Sequence, residues 1–228
     1  LGGRGFNAKR MYDEIPSGTN PLGSENKLYF ATGPLGGTSF PTASRFNISA
    51  KSPQTGILGD TNAGGHFASE MKYAGYDQIV LEGRSSKSVY IHVSDGDVEF
   101  RDASHLKGRG VYETDEIIKS DLGDRRVQTA IIGPAAENGV RFAGIFANLM
   151  RAAARTGMGS VMASKGVKAL VVRGTGSVSV AKPRMFEKLV EDIEEQIRGH
   201  EQYWGRRRMG TTRILMMANA AGFLPTRH

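Results

Sequence analysis

The chain contains no cysteine, so this segment holds no disulfide, no cysteine-ligated zinc and no iron–sulfur cluster of its own. A cytoplasmic setting is the expectation that goes with that absence. No apolar run approaches the ~20 residues needed to span a bilayer, and no membrane span is expected. No signal-peptide pattern opens the chain, and Leu1-Gly2-Gly3-Arg4-Gly5 reads as the middle of a fold, truncated at its start.

Catalytic signatures are missing too. Gly157-Met158-Gly159 begins like a dinucleotide fingerprint, but Met162 stands where the third glycine is needed and no acidic residue on a following strand completes it. The Gly-Lys-Ser/Thr ending of a phosphate-binding P-loop is absent, which removes support for nucleotide hydrolysis. His66, His105, His200 and His228 show no paired metal-ligand spacing; only His66, directly after two glycines, keeps a site role open. No Ser/His/Asp set or paired carboxylates can be read, so catalytic residues are expected outside this chain.

What the chain does have is glycine and positive charge. Its 228 residues suffice for one large domain and part of a second. The 30 glycines mark loops where backbone must approach something closely. Lys and Arg number 30 against 23 Asp and Glu, a formal +7 that suits an anionic partner. Arg206-Arg207-Arg208 with Arg213 could touch nucleic acid, but no aromatic stacking series accompanies them. A solvated helix face or a domain contact is the preferred reading, with no nucleic-acid partner.

Along the chain, apolar spacing and turn residues predict a helix over 6–15 ended by Pro16, and strands over 28–31 and 46–50 around an irregular loop 33–44. A glycine-rich loop 59–65 then leads to a helix over 66–74 and a strand over 78–82. Asp95-Gly96 predicts a hairpin of strands 89–93 and 98–101. A helix over 113–122 follows, then strands over 127–132 and about 141–146, a loop-to-helix stretch 151–165 and a strand over 168–172. Beyond Pro183, Phe186, Leu189, Val190, Ile193 and Ile197 recur at helical spacing, and 212–221 continues with helix-favouring residues. The boundary falls near Val180, giving a cofactor-binding domain over 1–180 and the truncated beginning of a helical domain over 181–228.

Gly33-Pro34 and Gly133-Pro134 each follow a strand and lead through a polar strand and a glycine-rich loop to a small-residue helix. Ile79-Val80-Leu81-Glu82-Gly83 and Leu170-Val171-Val172-Arg173-Gly174 close the two stretches alike. The expectation is a pseudo-two-fold domain built on this internal repeat, with two similar loops facing one ligand. Arg151-Ala152-Ala153-Ala154-Arg155-Thr156-Gly157-Met158-Gly159-Ser160 is the densest candidate loop. Backbone N–H groups at a helix start and forked arginine donors both suit phosphate; a tight turn with solvated arginines is the alternative. Its partner offers Arg45 and then Asn62-Ala63-Gly64-Gly65, where Asn62 can present a carbonyl oxygen to a cation.

Leu1-Gly2-Gly3-Arg4-Gly5, Asn26-Lys27-Leu28, Gly33-Pro34-Leu35, Lys51-Ser52-Pro53, Asn62-Ala63-Gly64-Gly65-His66-Phe67, Lys72-Tyr73-Ala74-Gly75-Tyr76-Asp77 and Arg101-Asp102-Ala103-Ser104-His105 together resemble the aldehyde:ferredoxin oxidoreductase family. Ile132-Gly133-Pro134-Ala135, Glu137-Asn138, Arg151-Ala152-Ala153 and Leu224-Pro225-Thr226-Arg227 continue in the family's order, so the resemblance covers essentially the whole chain. It implies an α+β fold, a base of two mixed β-sheets related by a pseudo-two-fold internal repeat, beneath a tungsten ion held by two pterin dithiolenes, with magnesium bridging the pterin phosphates. It implies cofactor contacts at Arg45 and Asn62 with Ala63, Gly64 and Gly65, a loop near the cofactor at Arg4, and a second phosphate contact at Arg151, Ala152, Arg155 and Gly157. Asn62 and Ala152 are the implied magnesium contacts.

The same resemblance implies aldehyde oxidation with ferredoxin or another carrier as electron acceptor, a [4Fe-4S] cluster whose ligands lie outside this chain, a homo-oligomer, and a fragment inactive alone. The alternatives are an aromatic acyl-CoA reductase on the same scaffold, and a non-catalytic phosphate- or nucleic-acid-binding module. Where the family reads Arg-Ala-Ala-Gly-Arg-Gly-Gly, this chain has Ala154 and Thr156 in place of two glycines, and its acidic upstream segment is replaced by Ala147-Asn148-Leu149-Met150.

Overall fold

The structure is a computed structural model that describes residues 2–224; Leu1 and the Pro225-Thr226-Arg227 part of the family-like ending, with His228, lie outside the described residues. Two compact units are present, Leu1–Ser179 and Val180–His228.

The first unit begins with α1 (Gly3–Glu14), so Arg4 sits in a helical first turn and not in the loop expected ahead of residue 6. The chain then runs through β1 (Leu28–Thr32), β2 (Phe46–Lys51), β3 (Leu58–Ala63), α2 (Phe67–Tyr73) and β4 (Gln78–Leu81). β3 replaces most of the expected glycine-rich loop. Its Gly, Asp, Thr and Asn favour turns, but six paired positions against β2, from Phe46↔Ala63 to Lys51↔Leu58, override that preference. The Asp95-Gly96 hairpin is present as β5 (Val89–Ser94) and β6 (Asp97–Asp102), followed by α3 (Val111–Leu122). Then come β7 (Gln128–Ile131), α4 (Pro134–Glu137), β8 (Ile145–Ala147), β9 (Arg151–Ala153), α5 (Met158–Ser164) and β10 (Val167–Arg173). Strand β8 starts at Ile145 and not near Arg141, because the segment before it is a turn: Ala143 N–H donates to the Val140 carbonyl at 2.9 Å.

The internal repeat is explicit in the topology. One sheet has the order β3-β2-β1-β4; the other, β6-β5-β10-β7-β8-β9, contains the matching run β9-β8-β7-β10. Within each run every neighbouring pair is antiparallel. The four-stranded sheet is therefore antiparallel throughout, and the six-stranded one is mixed because the β5–β6 hairpin joins β10 in parallel.

Both α2 and α5 touch strands of both halves. Phe67, at the start of α2, packs against Phe46 and Phe30 with ring centroids 5.0 and 6.4 Å away. Truncating a buried aromatic of this kind costs about 3–5 kcal/mol. Strand β10 is buried on both faces. Leu170 and Val172 enter the main core, while Ala169 and Val171 join a second cluster with Ile118 of α3. On the outer face of the four-stranded sheet, fully buried Asn7 pins α1 in place: its Nδ2 donates to the Tyr29 carbonyl and to Asn47 Oδ1, and its Oδ1 accepts from Gln78 Nε2 at 2.7 Å.

The second unit comprises α6 (Pro183–Gly199), α7 (Tyr203–Met209), a 3₁₀ turn at Gly210–Ile214 and α8 (Leu215–Ala220). Three of the arginines in and after the Arg206–Arg208 run are tied down locally. Arg206 and Arg213 share the Gln202 side-chain oxygen, and Arg207 lies over the Tyr203 ring while donating to its hydroxyl.

Lys165, at the C-terminal end of α5, is buried and donates to the Gly83 carbonyl at 3.1 Å. Burial pushes its pKa down from 10.5 to about 8. The folded state therefore binds fewer protons than the unfolded state between those values, and its stability relative to the unfolded chain rises with pH across that window. Lys165→Met removes this slope. Thermal unfolding should show the variant's advantage over the parent shrinking by up to about 3 kcal/mol from pH 8 to 10.5; a constant difference would contradict the assignment.

Candidate functional site

The outer strands of the two repeat halves, β3 and β9, lie against each other. Arg155 N–H bridges them by donating to Thr61 Oγ1 at 3.2 Å. Between them, Arg4, Arg45, Asp60, Asn62, Ala152 and Arg155 line a cavity of about 420 Å³. Alternation along β3 puts Asp60 and Asn62 on its open face and turns Thr61 and Ala63 inward.

The arginines are held by neighbours. Arg45 Nε donates to Asn62 Oδ1 at 2.9 Å, and its Nη2 donates to the same oxygen. Arg4 Nη2 pairs with Asp60 Oδ2 at 2.7 Å, and Asn47 Nδ2 donates to the other oxygen of that carboxylate. An exposed pair such as Arg4–Asp60 adds little stability; its effect is to aim the guanidinium. Three guanidinium groups face one carboxylate, so the cavity favours an anion.

The structure brings most of the expected residues together. Arg4, Arg45, Asn62, Ala152 and Arg155 line the cavity, and Gly64 lies beside the Arg45 guanidinium. Ala63 faces the core. Arg151 lies outside the cavity wall, exposed on β9 opposite Ala147. Gly157 has a packing role: φ is +77°, and a Cβ there would lie 1.9 Å from the Arg141 carbonyl oxygen. Asp60 and Thr61 join the lining without having been singled out, and Ala154, noted in the candidate loop as a departure from the family's glycine, joins them. Reading 58–63 as a strand would have placed Asp60 on the face of Asn62.

One part of the expected phosphate chemistry is corrected. Arg151 and Ala152 belong to strand β9, and α5 begins only at Met158. In its first turn Gly159 N–H already donates to the Ala143 carbonyl at 2.9 Å. At the start of α2, the N–H groups of His66 and Phe67 both donate to Asn148 Oδ1. The charged donors at the cavity are therefore arginine side chains, Arg4 from α1 and Arg45 and Arg155 from segments flanking β2 and β9, while the helix-start amides of His66, Phe67 and Gly159 already have partners inside the protein.

Residues 1–174 match the family model described as aldehyde ferredoxin oxidoreductase, N-terminal domain. The chain belongs to this family. It is 45% identical over its whole length to the tungsten-containing aldehyde ferredoxin oxidoreductase of Pyrococcus horikoshii and 44% identical to that of Pyrococcus abyssi, and it spans 38% of the length of each. Among solved structures, the active site complex BamBC of benzoyl coenzyme A reductase, in complex with 1,5-dienoyl-CoA, superposes with a TM-score of 0.86 at 45% identity. That match covers 89% of this chain and 31% of the other.

The departures from the aldehyde ferredoxin oxidoreductase pattern now have consequences. Ala154 is absent from the residues with positive φ, so it carries no left-handed strain and its cost is the methyl it adds to the cavity wall. Thr156 does adopt φ +60°, and its buried Oγ1 has no hydrogen-bond partner among the described residues. Its carbonyl accepts from Ser52 Oγ at 2.8 Å, a link between the halves that holds the strained backbone in place. Thr156→Gly should raise stability by about 1 kcal/mol, the relief of a left-handed β-branched residue less the entropy lost by glycine. Denaturant unfolding checks this, and a destabilised variant would contradict it.

Proposed function

We propose that this chain is the cofactor-holding part of an enzyme that oxidises aldehydes to carboxylic acids, with oxygen from water and electrons passed to ferredoxin or a similar carrier. The observation that carries the reading is the arginine-lined cavity where the two repeat halves meet. It occurs in a chain 45% identical throughout to a tungsten-containing aldehyde ferredoxin oxidoreductase.

The donor set fits the phosphate-bearing end of a tungsten bis-pterin. Arg45 and Arg155 offer forked, charge-assisted hydrogen bonds to phosphate oxygens, and Arg4 adds charge at the rim. Exposed Arg151 is assigned to a phosphate beyond the cavity wall. Asn62 and Ala152, at matching places in the two halves, would hold a magnesium ion through carbonyl oxygens, the ligand type that a hard cation prefers. When bound, the tungsten pterin supplies the redox centre, and this chain contributes position and charge. Because Arg45 is already held by Asn62, little side-chain entropy remains to be lost on binding. With no cysteine among the 228 residues, the [4Fe-4S] cluster takes its ligands from elsewhere in the enzyme. Cytoplasmic location and homo-oligomeric assembly belong to the same proposal.

A second reading, an aromatic acyl-CoA reductase, is favoured by the likeness to the benzoyl coenzyme A reductase complex. The two separate on substrate. Full-length protein purified without oxygen should contain tungsten, pterin and iron and should reduce a dye with aldehydes; dye reduction with a cyclic dienoyl-CoA alone would favour the second reading, and metal-free protein would refute both. Arg45→Ala and Arg151→Ala should each weaken pterin retention about 10- to 100-fold, the equivalent of one charge-assisted hydrogen bond of about 1.5–3 kcal/mol. Unchanged pterin content in either variant would refute that residue's phosphate role.

A further inference from the structure

Asn148 lies outside the cavity, yet it joins the two loops that lead into it. Its Oδ1 accepts from His66 N–H at 3.0 Å and from Phe67 N–H at 3.2 Å, across more than eighty residues of sequence. Its Nδ2 donates to Gln128 Oε1, and its own N–H donates to the Thr129 carbonyl at 3.1 Å, which anchors it to β7. A helix start is ordinarily capped by the residue just before it. Here that residue, His66, makes no side-chain cap, and the acceptor arrives from the opposite repeat half. Approach is close enough that a Cβ at Gly65, where φ is +102°, would lie 2.8 Å from Asn148 Oδ1.

The geometry closes a ring. Asn62 stands four residues before His66, and Ala152 stands four residues after Asn148. The ring is stapled on one side by the Asn148 bonds to α2 and on the other by Arg155 N–H donating to Thr61 Oγ1. Two consecutive left-handed residues, Asn148 at φ +49° and Leu149 at +62°, turn the chain back into β9 and aim the side chain at α2. Asparagine tolerates that conformation better than most residues.

We propose that Asn148 is a positioning residue: by clamping the β8–β9 turn to the start of α2, it sets the span between Asn62 and Ala152 and thereby the cradle's grip on a phosphate-bearing cofactor. The inference rests on the cofactor-holding reading above. A site spread over two structural halves grips only as well as their spacing is held.

The test compares Asn148→Gly with Asn148→Asp in full-length protein. Glycine accepts φ +49° without strain and removes both the acceptor and the donor to Gln128, whereas aspartate loses that donor but keeps the acceptor for both amides. Two quantities are read: pterin retained per protomer after exhaustive dialysis, and hydrogen exchange at the His66 and Phe67 amides. Asn148→Gly should lose at least fivefold in retained pterin and exchange those amides at least tenfold faster. Asn148→Asp should stay within twofold of the parent in both. Ile118→Val, buried beneath α3 in the second core cluster, is the control for general destabilisation and should retain parental pterin. A fully loaded Asn148→Gly protein, an Asn148→Asp protein as depleted as the glycine variant, or equal loss in Ile118→Val would each overturn the positioning role. A parent without pterin would overturn the cofactor reading itself, and this proposal with it.

Discussion

The two halves of the repeat meet at the start of α5, where Gly157 carries no side chain that would crowd Pro53 of the opposite half, 3.0 Å from a Cβ placed there. A Cβ there would overlap the Arg141 carbonyl, and relieving that overlap would push the start of α5 away from the turn before β8. Everything at the site depends on this seating. It carries the Ala154–Thr156 segment toward β3, lets Ser52 hold the Thr156 carbonyl, and brings Arg155 N–H to Thr61. A strained threonine persists next door because packing from both halves over-determines its backbone. The cavity is thus a consequence of backbone contact between halves, and its width is set by how tightly they close.

Charge is the second constraint. Arginines brought near one another repel, and each is countered by a different device: Asn62 accepts from Arg45 without neutralising it, and Asp60 pairs with Arg4 at the more solvated rim. The interior of the site keeps its positive potential while its donors stay ordered. An oxyanion entering such a place replaces water around guanidinium groups that are already aimed. The formal +7 of the chain is the coarse trace of this arrangement.

Much of the architecture could be read from local signals. Asp95-Gly96 specified its hairpin, the apolar runs of β7 and β10 announced buried strands, and the paired Gly-Pro turns exposed the repeat now seen as matching strand orders. Most residues that line the cavity were legible as residue types, since arginine, asparagine and small residues suit phosphate. Their geometry was harder to read. Strand β3 is composed of turn-formers and becomes a strand only through its pairing with β2, a nonlocal cause. Donors at the starts of α2 and α5 looked free because the groups that occupy them, Asn148 and the Ala143 carbonyl, come from distant or irregular segments. Gly157 looked like a ligand glycine and is a packing glycine, a distinction that needs the position of Arg141.

The central claim is that matching positions in the two halves jointly hold one phosphate-bearing cofactor. A high-resolution structure of the pterin-loaded full-length protein tests it most directly. The expected result is a magnesium ion held by Asn62 and Ala152 together, with cofactor phosphates on Arg45 and Arg155. Phosphates bound away from the β3–β9 junction, or held by one half alone, would contradict it.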